Sequence, residues 1–327
     1  MTLQEFLIQW HNPDDKLLVH TSGSTGTPKP MWVEKSRMLS SARITCDFLG
    51  LKPADTALLC LPLDYIAGKM MAVRSIERSL ELIQVEPSNH PLAGLEGRDI
   101  VFAAMVPSQV FCSLQVPEER EKLRRIRQLI IGGGAISGEL QAAIDEMDST
   151  GGIWSTYGMT ETLSHIALRR LNGPSASEWY TPFKGVEICL DEDGCLMIDA
   201  PSVHEGRLVT NDLAEIRDGK FRILGRRDNV ICSGGIKLQI ELIENKLRPF
   251  LDVPFCVTRR KDSKFGEVAV LLIEGEGVEK EMLQDAFSHL EHYEMPKALI
   301  YVSEIPMTGT GKICRSEAEK LAASIQS

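Results

Sequence analysis

The run Thr21-Ser22-Gly23-Ser24-Thr25-Gly26-Thr27-Pro28-Lys29 gathers hydroxyls, glycines and a cation into one short segment. Glycine tolerates positive φ and lets the main chain approach a ligand closely, so such a loop can turn N–H groups and hydroxyl protons toward one polyanion. It reads as a phosphate cradle, with a flexible Ser/Gly turn as the competing reading. The apolar Leu17-Leu18-Val19 before it and Met31-Trp32-Val33 after it predict two strands with the loop at the hairpin tip. The Walker spacing G-x-x-x-x-G-K-[ST] occurs nowhere in the chain.

Four more segments carry chemistry-bearing types: Tyr157-Gly158-Met159-Thr160-Glu161, Thr210-Asn211-Asp212, Gly225-Arg226-Arg227-Asp228 and Pro306-Met307-Thr308-Gly309-Thr310-Gly311-Lys312. Glu161 is a hard oxygen ligand suited to a divalent cation beside phosphate oxygens, although the same motif could simply start a helix capped by Thr160. Asp212 follows the apolar Leu208-Val209, so a strand end could aim its two oxygens at a vicinal diol; an ordinary turn aspartate is the alternative. Arg226 has the donor fork to reach a sugar or a phosphate, or it is a surface arginine. Gly132-Gly133-Gly134 directly follow the apolar Leu129-Ile131 and would let a flat base rest on the backbone. Lys312 sits in a Gly-Thr-Gly-Lys loop with reach, where a solvated tail lysine is the bland alternative.

In this order the motifs resemble the adenylate-forming superfamily of acyl-CoA synthetases, luciferases and carrier-loading adenylation domains, across residues 17 to 315. The resemblance implies an ATP-dependent enzyme with Mg²⁺ and coenzyme A. Thr21, Ser22, Gly23, Ser24, Thr25, Gly26 and Lys29 would hold the β and γ phosphates, and Glu161 the metal. Thr160 would bond the α phosphate, Tyr157 and Gly158 would line the adenine or acyl site, and Gly133 would lie against the adenine. Asp212 would meet the ribose, and Arg226 the ribose or a phosphate. Lys312 would stand between carboxylate and α phosphate in the first half-reaction, stabilising the pentacoordinate phosphorus. Asp228 would be the hinge on which a C-terminal domain swings, and Ser233-Gly234-Gly235 would line the pantetheine tunnel.

Strand-like Ala57–Leu61, Leu82–Val85, Ile100–Met105 and Leu129–Ile131 alternate with helix-like 36–49, 66–80, 108–114 and 137–147, the order of an α/β domain. From about residue 183 short strands and hairpins predict a β-rich subdomain, with Glu192-Asp193-Gly194 and Asp218-Gly219 as turns. A smaller α+β unit follows, with a helix over Ile240–Leu247, strands near 254–257, 268–273 and 299–302, and a helix over 281–289. The expected division is an adenylation domain over 1–227 and a mobile C-terminal domain over 228–327.

The net charge of −10 argues against a nucleic-acid partner, which would need a basic field. The one basic cluster, Lys122 to Arg127, has Leu123 and Ile126 at helical spacing and reads as a solvated helix face. Eight cysteines without C-x-x-C or metal-ligand spacing read as reduced and mostly buried, hence a cytoplasmic protein. Met1 to Asp15 lacks the pattern of a signal peptide, and no stretch has the length of a membrane span.

Only 20 residues precede Thr21, where most relatives carry a further region, and this N-terminally shortened form resembles the compact o-succinylbenzoate:CoA ligases of menaquinone synthesis. Val106-Pro107-Ser108-Gln109, and Leu238-Gln239 after Ser233-Gly234-Gly235, support that likeness. Asp64 and Tyr65 depart from it, standing where an aromatic residue and a histidine are common. Such an acid has a second carboxylate, for which Ser164, His165 and Lys69 are candidate partners; His165 is equally readable as a satisfied core histidine. Another aryl or acyl acid, a carrier-protein thiol as acceptor, and a catalytically silent nucleotide-binding regulator stay open, as does a homodimer.

Overall fold

A computed structural model of the chain describes residues 1–20, 30–308 and 313–324. Helix α1 (Leu3–His11) is started by a capping box in which Thr2 and Glu5 exchange side-chain to backbone hydrogen bonds. Strands β1 (Lys16–His20) and β2 (Pro30–Glu34) pair antiparallel, as the hairpin reading expects, while the 21–29 loop lies outside the described residues. Helix α2 (Lys35–Leu49) stops at Gly50, whose φ of +64° supplies the left-handed cap.

A seven-stranded sheet follows. It is built from β3 (Thr56–Leu59), β4 (Glu81–Gln84), β5 (Phe102–Met105), β6 (Gln128–Ile131), β7 (Gly152–Gly158), β8 (His165–Arg170) and β9 (Thr181–Pro182), in the order β4-β3-β5-β6-β7-β8-β9. The first five are parallel; β8 and β9 return antiparallel. Near-continuous apolar runs suit strands covered on both faces, and every residue of β5 is buried. Helices α3 (Ile66–Arg78), α4 (Pro107–Gln115), α5 (Pro117–Arg125) and α6 (Gly138–Asp145) provide the crossovers and cover. The basic cluster falls on α5 and just past it: Leu123 and Ile126 are buried, while Arg124 and Arg125 pair with Glu121.

The parallel strands align their C-terminal ends, where open α/β sheets place ligands. Segment Pro62–Gly68 follows β3, Val106–Gln109 follows β5, Gly132–Gly134 follows β6, and the Tyr157–Glu161 motif straddles the end of β7. These segments are far apart in sequence. The sheet sets them on one edge.

A four-stranded antiparallel meander then runs β10 (Glu187–Leu190), β11 (Cys195–Asp199), β12 (Arg207–Arg217) and β13 (Lys220–Arg226). The last sheet combines β14 (Val230–Ser233), β15 (Ile236–Gln239), β16 (Phe255–Asp262), β17 (Gly266–Glu274) and β18 (Ala298–Val302). Helices α7 (Ile240–Leu247), α8 (Lys280–Ser288) and α9 (Arg315–Ser324) accompany it. Side chains alternate across this sheet. Val257, Ala269, Leu271 and Ile273 pack in one core with residues of α7 and α8, while Cys256, Val270 and Leu272 pack in another with Ala318 and Ala322 of α9. The largest core draws on residues from Phe6 to Phe221, and these two draw only on residues from Ile231 onward.

All eight cysteines are free; Cys46, Cys60, Cys195 and Cys256 are buried, and Cys232 is exposed. Among the described residues no helix is long and apolar enough to cross a membrane.

Candidate active site

Close backbone approach explains the glycines at the strand ends. A Cβ on Gly132 would lie 2.4 Å from Thr156 Oγ1 on the neighbouring β7, and Gly133 has φ +82°. A Cβ on Gly158 would come within 2.3 Å of the Ser164 carbonyl oxygen, so only glycine lets the motif fold back on Ser164 and His165. The motif does not start an α-helix. Residues Thr160–Thr162 form a single 3₁₀ turn, closed by Thr162 Oγ1, which accepts from Met159 N at 3.0 Å. Leu163 then adopts φ +64°, a conformation that a branched side chain rarely takes and that the surrounding packing must enforce.

Thr160 is buried, and Glu161 lines an open cleft of about 210 Å³ with Lys16, Trp32, Arg37 and His204. The Glu161 carbonyl lies 3.1 Å from His204 Nδ1. Among the described residues no cluster of three potential metal ligands exists. A single carboxylate nonetheless suits Mg²⁺, which keeps waters and takes much of its coordination from substrate phosphates.

Asp212 lies within β12, not at a strand end, beside a register shift between Leu213 and Ala214. Such a bulge re-aims side chains, which does the work expected of a strand end. Its Oδ2 accepts from Tyr157 Oη at 2.7 Å and its Oδ1 from Arg226 Nη1 at 3.1 Å. Burial first, and then the Asp212 carboxylate, raise the Tyr157 phenol above its usual range, so it stays a donor. A carboxylate can accept about four hydrogen bonds, so this one keeps capacity for a diol. The Tyr157 ring packs edge-on against Phe221, which stacks on Tyr180.

A buried polar chain adjoins the motif. Arg74 on α3 is only 2% exposed; its Nη2 donates to Ser164 Oγ at 2.5 Å, and among the described residues its Nε has no partner and the guanidinium forms no ion pair. Burial lowers its pKa to about 10. Ser164 Oγ lies 3.1 Å from His165 Nδ1, His165 Nε2 lies 3.1 Å from Thr45 Oγ1, and Thr45 donates to the Ser41 carbonyl. A guanidinium only donates, so the Ser164 hydrogen points to His165 Nδ1 and the imidazole carries its proton on Nε2. Burial first, and then Arg74, hold His165 well below its ordinary value of 6.5, so it is neutral. Lys69, also buried, donates to the Leu63 and Asp64 carbonyls at 2.7 and 3.2 Å and so braces the segment after β3. Gln109 is a similar brace, reaching the Cys60 and Ser88 carbonyls.

Arg74 is not marked by any of the motifs. Its signal was an arginine inside the apolar helical run Met70-Met71-Ala72-Val73.

Ser233-Gly234-Gly235-Ile236 is a tight hairpin joining β14 to β15, with φ +57° and +85° at its two glycines, the requirement of a type I′ turn. Asp228 sits in the 3₁₀ turn Arg227–Asn229 between β13 and β14. Lys312 lies outside the described residues; the chain on either side is paired through Met307 and Ile313, and Cys314 N donates to the Pro306 carbonyl.

A parallel sheet whose strand ends carry glycine turns, followed by a meander bearing a diol-competent carboxylate and a small terminal α+β unit, is the architecture of an adenylate-forming enzyme. The chain belongs to the AMP-binding enzyme family, whose model matches residues 5–210. The acyl-CoA synthetase (AMP-forming)/AMP-acid ligase II-like protein of Dyadobacter fermentans is 36% identical, with TM-score 0.66 over 97% of this chain and 92% of that one. The 2-succinylbenzoate–CoA ligase of Lactococcus lactis is 25% identical over 93% of this chain and 71% of its own length. The fold is also that of the Bacillus subtilis o-succinylbenzoate coenzyme A synthetase, solved with ATP and magnesium, at TM-score 0.77 and 23% identity over 92% of this chain and 69% of that one. AMP-forming acid:CoA ligation is the activity this membership supports.

Proposed function

We propose that the protein joins o-succinylbenzoate to coenzyme A, using ATP and Mg²⁺. Family membership supports the ligase class, and the Lactococcus lactis relative supports the acid. The observation that carries the choice of acid is Arg74, a buried guanidinium without an ion pair among the described residues, beside Ser164, which packs directly against the motif glycine Gly158. Burying such a charge is costly unless an anion meets it. The distal carboxylate of a dicarboxylic aryl acid is that anion in our reading, met by the Arg74 guanidinium that Ser164 and the neutral His165 hold in place.

In the first half-reaction one carboxylate of the acid attacks the α phosphorus, one P–O bond forms, and the bond to pyrophosphate breaks. Attack between two anions requires positive charge and oriented donors. Lys29, the 21–29 hydroxyls and N–H groups, Thr160 and Lys312 supply these in our reading, with Asp212, Tyr157 and Arg226 holding the ribose. Glu161 would hold Mg²⁺, which neutralises phosphate charge. In the second half-reaction the thiol sulfur forms the C–S bond, its proton passes to solvent, and the acyl C–O bond breaks as AMP leaves.

The two steps need different surroundings, so we place a hinge at Asp228 and the division at 227–228. The separate cores before Phe221 and after Ile231 support this.

A panel of acids assayed for CoA thioester formation tests the choice. The proposal expects o-succinylbenzoate to exceed benzoate and medium-chain fatty acids in kcat/KM by at least about 10²-fold, the scale of the roughly 1–3 kcal/mol lost when a buried polar group is left unsatisfied. Equal or better turnover of acids lacking a second carboxylate would overturn it.

A further inference from the structure

Asp228 is tied down. Its Oδ2 accepts from Arg226 Nη2 at 2.8 Å and from Asn211 Nδ2 at 3.2 Å. Both donors belong to the four-stranded meander, Asn211 on β12 and Arg226 at the end of β13. Asn211 is held from its other side, because its Oδ1 accepts from Arg227 Nη2 at 2.7 Å while Arg227 Nη1 reaches Asp193 in the β10–β11 turn at 3.0 Å. The amide orientation follows from these neighbours: its NH₂ faces a carboxylate and its oxygen a guanidinium. Arg226 is meanwhile shared, with Nη1 on Asp212.

A rotation pivoting on Asp228 must change its backbone angles and so carry its carboxylate off both donors. We propose that Asn211, with Arg226, is a latch that holds the C-terminal unit in the orientation seen here and sets the balance between the two half-reactions. Asn211 is thus a positioning residue, acting through Asp228, and the inference rests on the ligase and hinge readings above. The latch is weak. The Asp228 and Arg226 side chains are 53% and 37% exposed, so water screens them. Weakness suits a contact that opens and closes in every cycle.

The test compares Asn211→Ala, which removes the donor, with Asn211→Asp, which places a second carboxylate against Asp228. Pyrophosphate exchange and thioester formation from supplied acyl-adenylate are measured separately. Fluorescence energy transfer between labels at the exposed positions Glu118 and Lys280 reports orientation independently of activity. The latch expects the two half-reactions to move in opposite directions, by about 3–5-fold in Asn211→Ala and further in Asn211→Asp, with a matching change in transfer. Parallel loss of both rates, or no change in rates and transfer, overturns it. Absence of acid-dependent exchange in the unsubstituted protein overturns the ligase reading instead, and the energy-transfer comparison still decides the latch.

Discussion

Tyr157 and Asp212, 55 positions apart in the chain, are joined by a 2.7 Å hydrogen bond from phenol to carboxylate. It ties the end of β7 in the large sheet to the bulge of β12 in the meander, so two motifs meet in one site. Tyr157→Phe keeps the ring against Phe221 but leaves Asp212 Oδ2 without this donor. We expect KM for ATP to rise about 10-fold, the scale of a hydrogen bond to a charged group, with a smaller change in kcat. Initial rates against ATP concentration measure this; an unchanged KM would separate Asp212 from ribose binding.

Arg74→Met preserves length and apolar packing while removing the cation. The expected result is a rise of at least about 10²-fold in KM for o-succinylbenzoate, with little effect on KM for ATP. Thermal unfolding should be unchanged or shifted upward, because a buried charge without an ion pair among the described residues is replaced by an apolar side chain. A variant that loses stability and keeps its KM would make Arg74 structural.

For Lys312→Ala, adenylation should fall by at least about 10²-fold, as on removing one transition-state donor, while thioester formation from preformed acyl-adenylate suffers far less. Separate single-turnover measurements of the two steps provide the check. Equal loss of both steps in a folded variant would contradict the assigned role.

His165 is neutral in the folded chain, with a pKa well below 6.5, and the unfolded chain takes up its proton near 6.5. The unfolded state therefore binds more protons below that pH, and stability declines as pH falls from about 7 toward the folded value, by at most about 1.4 kcal/mol per pH unit. Denaturant midpoints from pH 7.5 to 5.5 should show this slope, and His165→Gln should flatten it. The same slope in both proteins would assign it to other groups.

Much of the fold was legible because β3 to β6 are short apolar runs alternating with periodic helices, and Ile240–Leu247 was read at its observed bounds. The meander was legible from its turns. Less was legible where tertiary contacts decide. The bulge that aims Asp212 from within β12 leaves no mark in Thr-Asn-Asp, and α9, the small helix against the last sheet, was not foreseen. Arg74 and Asn211 gained meaning only from their neighbours, Ser164 in one case and Asp228 in the other. Gly234 and Gly235, read toward pantetheine, are demanded by a hairpin turn whatever they bind.

Acid-dependent exchange of labelled pyrophosphate into ATP tests the account most directly, because the first half-reaction is reversible and needs no thiol. The purified protein, with Mg²⁺ and o-succinylbenzoate but no coenzyme A, should incorporate label into ATP, and omission of either the acid or the metal should abolish it. Hydrolysis of ATP without the acid and without exchange would contradict adenylation as its chemistry.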